Sequence, residues 1–209
     1  MESREFVLIG YSGHSFVVAD AIIANNDMIF GYCEVANKEM NPFGIKYLGV
    51  ESNPEVIQLI KMKEIIIAIG SNELRQKISN SLNKDLRLGT IIHPRAVVSK
   101  TSKIGEGTVV FAGSIINSLS EIGKGVICNT GSIIEHEAKV GNYVHIAPGC
   151  VLTGNVTIGD RSFIGANAVI KQGVTIGKDV VIGAGSVVIK DVTDGEIVYG
   201  NPARLKIVK

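Results

Sequence analysis

The chain contains no tryptophan, and its six phenylalanines and five tyrosines make aromatic side chains only 5% of 209 residues. A core filled by large rings is excluded, and a thin core with small inward positions fits instead. The three cysteines, Cys33, Cys128 and Cys150, have no metal-binding spacing. They read as small buried hydrophobes of a reducing compartment. An excess of charge is missing too: 21 basic and 20 acidic residues leave a net charge of +1, with both signs interspersed. That balance argues against nucleic acid or an anionic membrane surface as partner. No apolar run approaches the length of a membrane span. The opening Met1-Glu2-Ser3-Arg4-Glu5 lacks the apolar centre of a secretion signal, so the cytoplasm is the expected location. The length leaves room for two modest domains or one large one.

What the chain does have is a period of six. Every sixth residue from Ile92 to Val188 is Ile, Leu or Val in sixteen of seventeen cases, and Cys128 is the other. Two residues before each stands a small side chain, among them Ser102, Ser114, Ala138, Cys150, Ser162 and Ser186. Residues two apart on a strand share a face, so the small and the large residue of each hexad point inward together. The rest of the hexad turns a corner. Gly105, Gly123, Gly141, Gly159 and Gly177 add a period of eighteen, or three corners per coil. Glycine at these positions is expected to supply positive φ. The pattern predicts a parallel β-helix of triangular section, whose handedness the spacing does not reveal.

The stretch before the repeat reads differently. Glu5 to Ile9 is an apolar strand entering Gly10-Tyr11-Ser12-Gly13-His14 and a helical segment that reaches about Asn25. A second strand is expected over Met28–Val35, a helix after Pro54, and a third strand over Glu64–Ile69. Ser71 or Asn72 caps a further helix with Leu74, Ile78 and Leu82 at inward spacing. Alternating strands and helices predict a small parallel α/β domain over residues 1–85, with Leu86 to Pro94 feeding a second domain over residues 86–209. Beyond Val188 the pattern stops and a tail with a Gly-Asn-Pro turn follows.

Five runs carry a resemblance: Gly10-Tyr11-Ser12-Gly13-His14, Ala68-Ile69-Gly70-Ser71-Asn72, Ile92-His93-Pro94, Ile134-Glu135-His136-Glu137 and Gly200-Asn201-Pro202-Ala203-Arg204. Together with the hexads they resemble the hexapeptide-repeat bacterial sugar acetyltransferases, which include sialic acid O-acetyltransferases and nucleotide-amino-sugar N-acetyltransferases. The resemblance implies a Rossmann-like α/β domain followed by a left-handed parallel β-helix. It also implies acetyl-CoA as co-substrate, no metal, and a homotrimer with active sites between subunits.

The resemblance assigns the general base to His136 with Glu137 as its partner. An outward imidazole beside a carboxylate suits that task, because the carboxylate orients the ring and stabilises its protonated form. His145 points outward from mid-strand, nine residues or half a coil away, so the two imidazoles meet only where prisms pack side by side. His145 is taken as a second active-site group contacting substrate or acetyl group. Asn129 sits near the catalytic histidine at a corner where a left-handed backbone is expected. For the sugar nucleotide, the resemblance points to Gly10, Ser12, Gly13, His14 and Asn72. A glycine-rich strand-to-helix turn can cradle phosphate with backbone N–H groups. Glu34, ending the second strand, is placed to take a ribose hydroxyl. Relatives carry paired aspartates near here, whereas this chain reads Glu34-Val35-Ala36-Asn37. For the coenzyme, the resemblance gives Gly154 as an oxyanion donor and Gly165, Ala166, Gly183, Ala184 and Gly185 as groove walls. Lys171, Lys190 and Arg204 are the cations available to its phosphates.

The leading expectation is an acetyl-CoA-dependent N-acetyltransferase of a nucleotide-linked amino sugar, of UDP-4-amino-sugar type, in bacterial surface glycan biosynthesis. The alternatives are an O-acetyltransferase of sialic acid or a related free sugar, a zinc enzyme on the same prism, and a non-catalytic nucleotide-sugar scaffold. Zinc catalysis needs three converging histidines, and only His136 and His145 lie within the repeat proper.

Overall fold

A computed structural model describes residues 3–206; Met1, Glu2 and residues 207–209 lie outside the described residues. The chain forms two compact units, one ending at Pro94 and the next beginning at Arg95.

The first unit runs β1 (Glu5–Ile9), α1 (Gly13–Ala24), β2 (Met28–Cys33), β3 (Tyr47–Gly49), α2 (Pro54–Ile60), β4 (Glu64–Ile67), α3 (Asn72–Ser81) and β5 (Arg87–Leu88). Its sheet is parallel, in the order β3-β2-β1-β4-β5. The central β1 is buried from Phe6 to Ile9, the continuous apolar run that a strand covered on both faces requires. The strand order reverses between β1 and β4, so the ligand crevice of such a sheet opens at their C-terminal ends. Gly10–His14 leaves one of those ends and Ala68–Asn72 the other. Gly10 holds φ at +90°, and a Cβ there would lie 2.6 Å from Ile69 Cγ1.

Two expectations change here. Arg87–Leu88 does not leave the domain but pairs with Glu64 and Ile65 as the fifth strand. In α3, Leu74 is 44% exposed and Arg75 is 1% exposed. The guanidinium takes the inward place because it donates to Ile69 O (2.9 Å), Gly70 O (3.2 Å) and Asn72 Oδ1 (2.8 Å). Those oxygens belong to half-buried residues, and the guanidinium supplies them with donors.

The second unit is the prism. Two-residue strands such as Ile115–Ile116, Glu121–Ile122 and Ile127–Cys128 fall on three parallel sheets. Each pairs with the strand eighteen residues on: Ile115 with Ile133, Glu121 with Lys139, Ile127 with His145. The inward aliphatics, Ile116, Ile134, Ile146, Leu152, Ile164, Ile170 and Ile182 among them, are at most 1% exposed. Each contributes roughly 1.5–3 kcal/mol by leaving water. The small inward serines reach corner carbonyls: Ser114 Oγ to Asn129 O at 2.7 Å, Ser120 Oγ to Glu135 O at 2.9 Å, Ser162 Oγ to Gly177 O at 2.7 Å. Serine therefore fills a narrow position and supplies a donor that alanine lacks.

The periodic glycines do something other than expected. Gly105, Gly123, Gly141, Gly159 and Gly177 do not adopt positive φ; each stacks on the backbone of the next coil or of the closing turn. A Cβ on Gly123 would come within 2.7 Å of the Gly141 carbonyl carbon. Positive φ belongs to another hexad position, occupied by Gly107, Gly113, Gly125, Gly131 and Gly149 but also by Leu119, Glu137, Tyr143 and Asn155. Asn129 is not among the left-handed residues; Gly131, two residues later, takes that conformation. The tail also differs from expectation. Ile197–Gly200 continues a prism sheet beside Val181–Ile182 and forms an antiparallel pair with Ala203–Leu205, joined through a cis Asn201–Pro202 bond.

The two glycine classes respond differently to substitution. Gly123→Ala forces the coils apart and is expected to cost about 2–3 kcal/mol. Gly131→Asn keeps a tolerated left-handed residue in open space and is expected to cost under about 1 kcal/mol. Equilibrium unfolding of the two variants checks the ranking.

Candidate active site

The corner after Ile134 carries His136 and Glu137, both exposed. His136 Nδ1 lies 3.2 Å from Glu137 Oε2. A carboxylate only accepts, so Nδ1 holds the proton and Nε2 keeps its lone pair. The ring rests on Gly154, the residue eighteen positions on. A Cβ at Gly154 would lie 2.5 Å from His136 Cε1 and 2.7 Å from Nε2. Gly154 is thus the seat of the imidazole, and it is buried. Its N–H takes part in no main-chain bond among the described residues.

His145 lies on a different sheet from the strand preceding His136, so one prism keeps the imidazoles on separate sides. Asn129 Oδ1 accepts the Thr130 N–H at 2.8 Å, so its amide nitrogen donates to His145 Nε2 at 3.0 Å. That bond places the neutral ring's proton on Nδ1. Phe163, one rung on, meets the His145 ring edge-on at 5.1 Å between centroids.

Apart from His145, the outward residue of each two-residue strand was not read from the sequence. On one sheet these are Val97, Ile115, Ile133, Val151, Val169 and Val187; on the next, Lys103, Glu121, Lys139, Thr157 and Thr175; on the third, Val109, Ile127, His145, Phe163 and Val181. One outward face is entirely aliphatic and another is polar. The signal was available by reading the residue before each inward aliphatic at a period of eighteen.

Of the proposed coenzyme residues, Gly165 is buried against Ile182 O, Ala166 is half-buried, and Ala184 and Lys190 are exposed. Lys190 and Arg204 line one cavity of about 340 Å³, and Lys171 does not. In the first unit, Ser12 and Gly13 are exposed at the start of α1. Ser15 Oγ takes the Ser12 N–H at 2.7 Å. His14 is pushed down to about 4, by burial first and the Arg75 guanidinium second, so its imidazole is neutral at neutral pH. Asn72 is tied to Arg75. Glu34 accepts from the N–H groups of Val35 (3.0 Å) and Tyr11 (3.4 Å) and pairs with Lys38 at 3.4 Å. Burial alone would raise its pKa, but these donors outweigh it and hold the carboxyl below its usual range.

All three cysteines are buried free thiols, which burial pushes up to about 12 for Cys33 and Cys128 and about 11 for Cys150. Thiolate chemistry is therefore absent from these positions at neutral pH. Among the described residues no group of His, Cys, Asp and Glu is arranged to hold a metal ion. Among the described residues no helix is long and apolar enough to cross a membrane.

Residues 5–82 match the PglD N-terminal domain family, and residues 155–190 match the hexapeptide repeat of succinyl-transferase. Among solved structures, a variant of perosamine N-acetyltransferase from Caulobacter crescentus in complex with CoA and GDP-perosamine is 34% identical. The match covers 98% of this chain and 97% of that one with a TM-score of 0.92. The acetyltransferase domain of PglB from Neisseria gonorrhoeae, in complex with acetyl coenzyme A, is 32% identical over 98% of this chain and 100% of that one, with a TM-score of 0.91. WeeI from Acinetobacter baumannii is 28% identical over 98% and 100%, with a TM-score of 0.85. No curated protein matches the chain. The fold is accordingly a Rossmann-like α/β domain followed by a left-handed parallel β-helix.

The ring seat yields a test separate from folding. In Gly154→Ala the methyl displaces the exposed His136 ring, which is free to swing outward. The thermal midpoint is expected to stay near that of the wild type while turnover falls at least about tenfold. Paired melting and activity measurements check it.

Proposed function

Because the chain belongs to the hexapeptide-repeat sugar acetyltransferases, enzymes that use acetyl-CoA, we propose that it N-acetylates a nucleotide-linked amino sugar, of UDP-4-amino-sugar type, in surface glycan biosynthesis. The observation that carries the mechanism is the His136–Glu137 pair at 3.2 Å over Gly154. Nε2 of His136 takes the proton of the acceptor amine as nitrogen attacks the thioester carbonyl. The tetrahedral oxyanion meets the Gly154 N–H, His145 contributed by an adjacent subunit of the proposed trimer contacts the acetyl group, and the thiolate of the coenzyme leaves on collapse. Glu137 orients the ring and stabilises the imidazolium. Gly165, Ala166 and Ala184 line the pantetheine groove, with Lys190 and Arg204 toward the phosphates.

The first unit holds the nucleotide. The diphosphate meets Gly10, Ser12 and Gly13 at the N-terminus of α1, Glu34 takes a ribose hydroxyl, and His14 and Asn72 face the sugar. A neutral His14 suits that place, since it can accept from a sugar hydroxyl or amine.

The assembly we propose is a homotrimer. The aliphatic outward column from Val97 to Val187 supports it: Val97 is 64% exposed, and Ile115, Ile133, Val151, Val169 and Val187 are half-buried with no polar side chain among them. Contiguous apolar surface of this kind marks a protein contact.

Thiol release from acetyl-CoA tests the chemistry. The wild type is expected to turn over with a nucleotide-linked 4-amino sugar and not with free sialic acid. His136→Ala is expected to lower turnover by about 10²–10⁴. Turnover on sialic acid alone moves the assignment to O-acetylation, and undiminished activity in His136→Ala removes the base. The assembly is tested by solution mass: the wild type is expected as a trimer and Ile115→Asp as an inactive monomer.

A further inference from the structure

The loop after β2 contains an amide whose orientation the hydrogen bonds determine. Tyr32 Oη accepts the Lys38 N–H at 2.9 Å and lies 2.6 Å from Asn37 Oδ1. A hydroxyl that already accepts has its own proton to give. A separation of 2.6 Å suits O–H···O and is short for N–H···O. Asn37 Oδ1 is therefore the acceptor, and the exposed amide nitrogen turns its two N–H donors away from Tyr32. Among the described residues the amide nitrogen has no partner in the chain.

This donor is rigidly tied to the glycine-rich turn. The Tyr32 ring stacks on Tyr11, with centroids 4.2 Å apart and planes 18° from parallel. Tyr11 lies inside Gly10–Gly13, and its N–H reaches Glu34. Asn41 Oδ1 takes the Tyr11 hydroxyl at 2.7 Å and the Ile45 N–H at 2.9 Å, fastening the loop's far end to the same ring. Turn, Glu34 and Asn37 thus follow one another at the C-terminal ends of β1 and β2. This is the order in which a nucleotide presents diphosphate, ribose and base when its phosphates sit at the start of α1.

We propose that Asn37 reads the nucleobase, donating from its amide nitrogen to a ring carbonyl. The inference rests on the reading of the first unit as the nucleotide site. The carbonyl meant is that at position 4 of a pyrimidine or 6 of a purine: uracil and thymine offer O4 and guanine offers O6 there, whereas cytosine and adenine present an amino donor. Two donors facing each other leave one unsatisfied, so the residue selects carbonyl bases. Glu34 keeps a free acceptor site for ribose because a carboxylate offers about four and three are in use.

Binding of UDP, dTDP, GDP, CDP and ADP to the full chain, by calorimetry, tests the assignment. The wild type is expected to bind the first three about tenfold more tightly than CDP and ADP. Asn37→Asp retains an oxygen for Tyr32 and turns the outward donor into an acceptor. The preference is then expected to level or reverse, whatever the change in overall affinity. Asn37→Ala is expected to level it. A wild type that favours CDP or ADP overturns the proposal and leaves the nucleotide site standing. So does an unaltered preference in Asn37→Asp. Failure of all five diphosphates to bind overturns the nucleotide reading itself, and this inference with it.

Discussion

The constraint on which the prism depends is the vertical hydrogen bond between a residue and its counterpart one coil on. Gly105 N reaches Ile122 O, Gly123 N reaches Val140 O, Gly141 N reaches Ile158 O and Gly159 N reaches Ile176 O, all at 2.7–2.8 Å. With rungs about 4.8 Å apart, no residue is an individual. Its role is set by the column it stands in and by what stands eighteen positions away. Gly154 is the seat of His136 because it is the next rung of the same corner. The inward serines can reach corner carbonyls only because the coils neither slip nor spread.

The same constraint sorts the outer surface into columns. One face of the prism carries an unbroken row of valines and isoleucines, of which Val97 is exposed and the other five are half-buried. The polar face beside it carries Lys103 and Glu121, paired across one rung at 3.0 Å. That pair is highly exposed, and such pairs contribute little to stability. Separation of the two kinds of residue into adjacent faces is therefore better explained by different neighbours, solvent for one and protein for the other, than by stability of the monomer. The proposed trimer places its subunit contacts on this basis.

Much of this was legible in the sequence. Ile92 to Val188 dictated the hexads, the inward pairs and three strands per coil, and alternating strands and helices marked the first unit. Glycine has two distinct uses, positive φ and close approach, and the spacing of Gly105 to Gly177 is compatible with both; only the neighbouring backbone distinguishes them. Leu74 and Arg75 invert the usual rule because the guanidinium folds back onto the carbonyls of Ile69 and Gly70 in the turn entering its own helix, a contact that periodicity does not register. Arg87–Leu88 is too short to announce itself as a strand. For the glycines and for Arg87–Leu88 the missing information is a partner distant in the chain, whereas for Arg75 it is the turn that enters its own helix.

The left-handed corners show where strain has a local use. A non-glycine residue there costs roughly 1–2 kcal/mol. On one corner two such residues, Arg161 and Asp179, both at positive φ, form a two-pronged ion pair at 2.7 and 2.5 Å. Glu137 has no such partner. The residues one rung to either side of it are Leu119 and Asn155, neither of which carries a charge. Its one ion-pair contact among the described residues is the adjacent His136. Glycine at 137 would relax the backbone, as it does at Gly131 and Gly149, and would leave His136 with no carboxylate. Under the proposed mechanism the carboxylate at this strained corner orients the His136 ring, a use that glycine could not supply.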